Sequence, residues 1–282
     1  MASKLIDPRK FNSAVHAMRS FFKKKGFLEV HTQNALSILA ACEDPSTISK
    51  YEYNKSVWPL PQTGQMWLEH VLLDNPEING CFTVSTSYRD EPNPIPGRHD
   101  KIFPMFEFES KGNLNDLITL EEELLEHIGF EKSTDETYPG GDYRDMMKKY
   151  KTDELEHEHE TKMNEDYGPV FFLKNFPYHT SPFWNMKKDG DTAAKVDVIL
   201  HGIETIGSAE RSCDKDEMKN QFETISDGQY SSLLYAQFGK TRVDSEMEKF
   251  LDRDFFPRFG GGIGVTRMIR AMELSKLIDK HS

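Results

Sequence analysis

The sequence predicts an α+β chain, and three features carry that expectation. Phe82–Tyr88 and Ile102–Phe108 are strand-like runs flanking a loop with three prolines and a glycine, the pattern of an antiparallel hairpin with a long tip. Val170–Leu173 and Lys195–Leu200 are further runs rich in branched and aromatic residues. Elsewhere, apolar residues recur at three- and four-residue intervals, the period of helices that bury one face.

Asp7-Pro8 opens the first helix, with Asp as cap and Pro in the first turn, and Phe11, Val15, Met18 and Phe22 carry it to about Lys25. Gly26–Thr32 reads as a strand. Asn34–Trp58 has no clear period, and Cys42–Thr47 within it reads as a polar turn. Leu60–Glu69 leads into a helix that ends near Leu73. Beyond the hairpin, Asn113 or Asn115 caps a helix with Leu117, Leu120, Leu124 and Ile128 inward and Glu121, Glu122 and Glu123 on a solvated face. Lys132–Gly141 is a loop, and Asp142–Lys149 and Asp153–Met163 read as short helices of a charged insertion. Its His157 and His159 point about 200° apart on a helix, so they cannot share a metal ion. Helices follow at about 215–224, 229–238 and 245–252, and a glycine-rich strand at 259–264 enters a closing helix.

With 282 residues the chain can bury a substantial core. Hydrophobic residues at 37% and charged residues at 29% fit a soluble globular protein. No apolar run approaches the roughly 18 residues that span a bilayer, and Met1–Leu5 is too short and polar for a signal peptide, so a cytoplasmic protein without membrane contact is expected. Cys42, Cys81 and Cys213 are far apart and odd in number, which suggests reduced thiols rather than disulfides or a zinc site. The net charge of −12 and pI near 5.4 argue against a large nucleic-acid-binding surface.

Chemistry concentrates in three clusters. On the hairpin, Arg89 and Glu91 close the first strand, Arg98 and His99 lie in the loop, and Phe103 and Glu107 share one face of the second strand. That face offers cations for phosphates, a ring for a base and a carboxylate for an amine, although alone it also fits a surface hairpin with scattered charges. Asp197 and Glu204 are seven apart, and Arg211 stands seven beyond Glu204. Phe259–Arg270 is a glycine-rich strand entering a helix, where missing side chains admit a nucleotide to the backbone and Arg267 can cover a base or reach a phosphate. Tight helix–strand packing explains such glycines equally well.

The first cluster resembles motif 2 of class II aminoacyl-tRNA synthetases, as Arg89-Asp90-Glu91, Arg98-His99 and Phe103-Pro104-Met105-Phe106-Glu107. Gly26–Thr32 after the first helix resembles motif 1, with Gln33 where the family has proline. Gly262-Ile263-Gly264-Val265-Thr266-Arg267 resembles motif 3, with Thr266 in place of the acidic residue. Gly64-Gln65-Met66-Trp67-Leu68-Glu69 is similar to the Gly-Gln-x-x-x-Glu run of asparaginyl-tRNA synthetases, with Leu68 where aspartyl enzymes have lysine. Gln65 and Glu69 on one helical face also fit plain solvated residues. The matches run in order along nearly the whole chain, within the aspartyl, asparaginyl and lysyl subclass.

The resemblance implies an antiparallel sheet flanked by helices, over residues 1–282 as one catalytic domain with a helical insertion at about 133–167 and without an anticodon-binding barrel. It implies ATP and Mg²⁺ as cofactors, an amino-acid substrate and a homodimer. Arg89 and Arg267 become the catalytic arginines; Arg89, Glu91, Arg98, His99, Phe103 and Arg267 bind ATP. Gln65, Glu69, Glu107 and Arg211 hold the amino acid, and Asp197 and Glu204 the magnesium. Amino-acid activation through an acyl-adenylate follows, with aspartate or asparagine as substrate. Three outcomes stay open: an asparagine synthetase using ammonia, a ligase to tRNA or another acceptor, and a silent paralogue.

Overall fold

The computed structural model describes residues 5–32, 36–37, 45–132, 137–180 and 182–281. Helix α1 (Pro8–Lys24) starts where the sequence sets it, because the Asp7 carboxylate accepts from the N–H groups of Arg9 and Lys10 at 2.8 and 3.3 Å. Strand β1 (Leu28–Glu29) is much shorter than the expected 26–32, a two-residue edge strand. Lys50–Tyr53 (β2) and Ser56–Pro59 (β3) form a separate hairpin where no period was visible, since β2 is exposed on both faces and never alternates. Helix α2 (Gln65–Asp74) precedes the long hairpin, β4 (Gly80–Tyr88) and β5 (Ile102–Lys111).

Helix α3 (Leu114–Ile128) carries a capping box between Asn113 and Asp116 and ends at Gly129 in the left-handed region, φ 106°. Strand β6 (Gly140–Asp142), α4 (Tyr143–Tyr150) and α5 (His157–Tyr167) occupy the stretch expected to be a helical insertion, and β6 lies where a loop was expected. Strands β7 (Val170–Pro177), β8 (Lys188–Asp189), β9 (Thr192–Leu200) and β10 (Ile203–Glu210) follow. Helices α6 (Lys215–Thr224), α7 (Gln229–Phe238) and α8 (Lys240–Leu251) lead to β11 (Arg258–Gly264) and α9 (Val265–Leu274). Helix α8 begins five residues before its expected start.

The main sheet runs β1-β4-β5-β11-β10-β9-β7-β6, with β8 on β9, and is antiparallel except for its parallel edge pairs β1/β4 and β6/β7. Its two faces are separated by the period of two along each strand. On β5, Phe106 and Phe108 point to the back, while Met105, Glu107 and Glu109 point to the front. Behind the sheet, α1, α3 and α9 pack on a core that includes Phe22, Phe82, Phe106, Phe108, Leu117 and Ile263. The Phe82 and Phe106 rings stack 5.1 Å apart, and Phe22 lies 5.1 Å from both Phe106 and Phe108. A second core around Trp184, Phe222, Tyr230 and Phe250 joins α6, α7 and α8. The fold class expected from the sequence is the fold observed.

The solvated face assigned to α3 needs correcting. Glu121 is 1% exposed, not on the surface, because α3 turns it toward β9 and β10. Burial pushes its carboxyl up to about 8, with the charge of Asp197 adding to the effect and Ser208 opposing it.

Candidate active site

The front of the sheet has a bare floor between two acidic walls. Strand register sets Thr83, Glu107, Gly262, Gly207 and Asp197 in one row across β4, β5, β11, β10 and β9. Three strand spacings separate Glu107 from Asp197, about 14 Å. The two glycines between them leave room for a ligand against the backbone. A Cβ at Gly207 would lie 2.9 Å from Glu204 Oε1, and one at Gly262 would lie 2.7 Å from Met105 Cε.

Arg89, Glu91, Arg98, His99, Phe103, Glu204 and Arg267 all line one cavity of about 350 Å³ over this floor. Five parts of the chain supply them: the end of β4, the hairpin loop, β5, the start of β10, and the first turn of α9. The Arg89 guanidinium stands 5.6 Å from the Phe103 ring centroid. His99 Nδ1 is 2.9 Å from Glu91 Oε1. Arg267 donates to the Glu204 carbonyl at 2.7 Å and the Arg98 carbonyl at 3.2 Å, which ties α9 to the hairpin loop. Arg98 in turn donates to Glu160 of α5 at 2.5 Å, and Glu160 accepts from the Glu204 N–H at 2.7 Å. Burial opposes ionisation of Glu204, yet Arg267, Lys195, Arg89 and Arg98 together hold its carboxyl below the usual carboxylate value.

A second cavity of about 110 Å³ shares Arg89, Met105, Glu204 and Gly262 with the first and is lined by Gln65, Glu69, Glu107 and Arg211. Glu107 is fixed by three donors: the Gly64 N–H at 2.9 and 3.0 Å to its two oxygens, the Ser85 hydroxyl at 2.6 Å, and the Thr63 hydroxyl. The Gln65 amide is assigned with its oxygen toward Arg211 and the Gly261 N–H, 2.8 Å away, because the opposite orientation sets donor against donor.

Arg211, expected to hold the amino acid, lines the small cavity and also has protein partners. Its Nε and Nη2 already donate to Glu109 at 3.2 and 3.3 Å, and Nε lies 3.8 Å from Glu69. Glu69 is likewise no solvated helix residue: it is fully buried and accepts from Arg258 at 2.7 and 2.9 Å and from Asn185. Two carboxylates and two guanidiniums therefore form a charge-balanced floor beneath the small cavity. Burial and the neighbouring Glu69 push Glu109 up to about 7 against the pull of Arg211.

The expected magnesium pair comes together only in part. Asp197 and Glu204 flank the same glycine, and Glu204 suits an ion delivered with phosphates. One oxygen of Asp197 already has a protein cation, because the Lys195 ammonium lies 2.9 Å from its Oδ2. Among the described residues, no three His, Cys, Asp or Glu side chains gather as a metal cage. Gln33, the altered motif 1 position, lies outside the described residues.

Sequence reasoning missed Glu109, Asn185, Lys195, Arg258 and Glu160. Glu109 and Lys195 were within reach, since each lies two residues from a named site residue on the same strand and so shares its face. Asn185, Arg258 and Glu160 reach the site from distant elements, and no local spacing announces them.

The antiparallel sheet with helices behind it is the fold of the class II synthetases. The chain matches the family of class II tRNA synthetases (D, K and N) over residues 7–280 and belongs to it. It is 23% identical to the aspartate–tRNA(Asp) ligase of Pyrobaculum aerophilum, across 93% of this chain and 62% of that one. It is also 23% identical to the aspartate–tRNA(Asp/Asn) ligase of Methanopyrus kandleri, across 75% and 54%. Among solved structures, asparaginyl-tRNA synthetase from Pyrococcus horikoshii complexed with asparaginyl-adenylate superposes with a TM-score of 0.76 at 21% identity, covering 97% of this chain and 66% of that one. The asparaginyl-tRNA synthetase of Entamoeba histolytica in complex with asparaginyl-adenylate gives 0.72 at 18%, covering 97% and 65%. The chain thus spans about three fifths of the length of the first of these curated relatives. Among its described residues, no helix is long and apolar enough to cross a membrane.

Proposed function

We propose that the chain activates aspartate or asparagine with ATP to form an acyl-adenylate, acting as one catalytic unit with a helical insertion at about 133–167. The observation that carries this is the continuity of the two cavities, which share Arg89 and Glu204. ATP occupies the larger one, with adenine on Phe103 and near Glu91, and with Arg98, His99 and Arg267 toward the terminal phosphates. The amino acid occupies the smaller one, its ammonium between Gln65 and Glu107 and its side chain over Arg211 and Glu69. A substrate carboxylate oxygen attacks the α-phosphorus, the bond to the bridging oxygen breaks, and pyrophosphate leaves with the electron pair. Arg89 stands at the junction, where charge accumulates in that step, so the chain contributes alignment and positive charge rather than a proton acceptor. Magnesium enters as part of the nucleotide substrate.

The acceptor is proposed to be ammonia, making the chain an asparagine synthetase-like member of the family, working as a homodimer. The net charge of −12 supports a small nucleophile over a polyanion. The likeness to tRNA ligases favours the second reading, transfer to tRNA. AMP release from ATP and aspartate, measured with ammonium, with total tRNA and with neither, separates the two. Ammonium-dependent asparagine formation supports the first, tRNA-dependent turnover replaces it with the second, and no AMP under any condition rejects both.

A further inference from the structure

Lys195 and Asp197 are two residues apart on β9, so both side chains leave the front face of the sheet. The Lys195 ammonium is gripped from two sides, 2.9 Å from Asp197 Oδ2 and 4.0 Å from the centroid of the Phe176 ring. Only 14% of its side chain is exposed, and it lines the small cavity together with Arg89, Glu204 and Arg211. Across Gly207, Glu204 has its own cation, Arg267 Nη1 at 3.6 Å from its Oε2. Each member of the carboxylate pair is therefore matched with a protein cation.

A divalent ion on Asp197 Oδ2 would have to displace that ammonium, and one on Oδ1, which faces Glu204 across Gly207, would lie within about 5 Å of it, where like charges still repel in a partly buried site. Resting on the nucleotide-site reading above, we propose that Lys195 is the resident counter-cation of Asp197. Asp197 then positions an ammonium instead of ligating a metal, and divalent ions reach the site bound to the nucleotide, where they meet Glu204. Lys195 places fixed positive charge on the wall of the small cavity, next to Arg89.

Counting Mn²⁺ by electron paramagnetic resonance, with α,β-methylene-ATP present, tests this without relying on turnover. The wild type binds about one Mn²⁺ per chain, and Asp197→Asn leaves both the count and the affinity within about twofold. Lys195→Met bares the Asp197 carboxylate beside Glu204 and gains a second ion. Lys195→Gln keeps a hydrogen-bond donor without the charge and gives the same gain, should Lys195→Met fail to fold. Two ions on the wild type, a tenfold loss of Mn²⁺ affinity in Asp197→Asn, or an unchanged count in whichever Lys195 variants fold overturns the proposal. Equilibrium dialysis of the analogue is read separately: no binding overturns the nucleotide reading and this proposal with it, whereas binding with two wild-type ions overturns this proposal alone.

Discussion

Glu121→Gln probes the layer directly behind the site. Glu121 is buried between α3 and the sheet, where burial raises its carboxyl from the usual 4.5 to about 8. In the unfolded chain it titrates near the lower value, so between the two values the folded state binds more protons. Its contribution to stability is fully present below about pH 4.5 and is lost as pH rises toward 8, at about 1.4 kcal/mol per pH unit. Across that window the loss is on the order of 4–5 kcal/mol. Glutamine has the same shape and cannot ionise. The variant should therefore match the wild type near pH 5 and exceed it by several kcal/mol near pH 8.5. Urea unfolding followed by fluorescence suits the measurement, because Trp184 is fully buried in the second core. Stability profiles of the two proteins that run parallel from pH 5 to 8.5 would refute the reasoning.

Other perturbations address the site itself. Arg89→Ala and Arg267→Ala should each lower amino-acid-dependent pyrophosphate exchange about a hundredfold, some 3 kcal/mol of transition-state stabilisation, while circular dichroism stays native. Arg211→Ala should erase the preference for aspartate or asparagine and cost about 3–5 kcal/mol of stability, because Glu109 loses its bidentate partner. That cost should shrink at pH 5, where Glu109, already raised to about 7, takes a proton; an equal cost at pH 5 and 8.5 contradicts the assignment. Gly260→Ala would set a Cβ 1.7 Å from Glu109 Oε2 and 2.6 Å from the Phe108 carbonyl, so the variant should unfold at markedly lower urea than the wild type.

Much of this molecule is legible in its sequence, for identifiable physical reasons. The Asp7 cap and the Asn113 capping box announce helices through side chains that satisfy their own backbone. Alternation on β5 placed Phe103 and Glu107 on one face of the hairpin, the face that lines the cavities. Local spacing failed where tertiary packing decides: Glu121 sits in an acidic run yet turns inward, and β2 lacks alternation because neither face is covered. The floor of the small cavity was half legible. Glu69 and Arg211 were named, but that they pair with Arg258 and Glu109 emerges only when β5, β10, β11 and α2 are brought together. Lys195 was overlooked because an ammonium beside a carboxylate on one strand looks like any exposed ion pair until its burial is known.

The central claim is amino-acid activation at the joined cavities, and isotope exchange between pyrophosphate and ATP measures that step alone, without an acceptor. Wild-type protein should exchange with aspartate or asparagine and not with lysine, and Glu107→Gln, which removes the negative charge facing the substrate ammonium, should reduce the rate at least tenfold. Exchange that is strongest with lysine, or absent with all twenty amino acids while the protein is folded, would contradict the account.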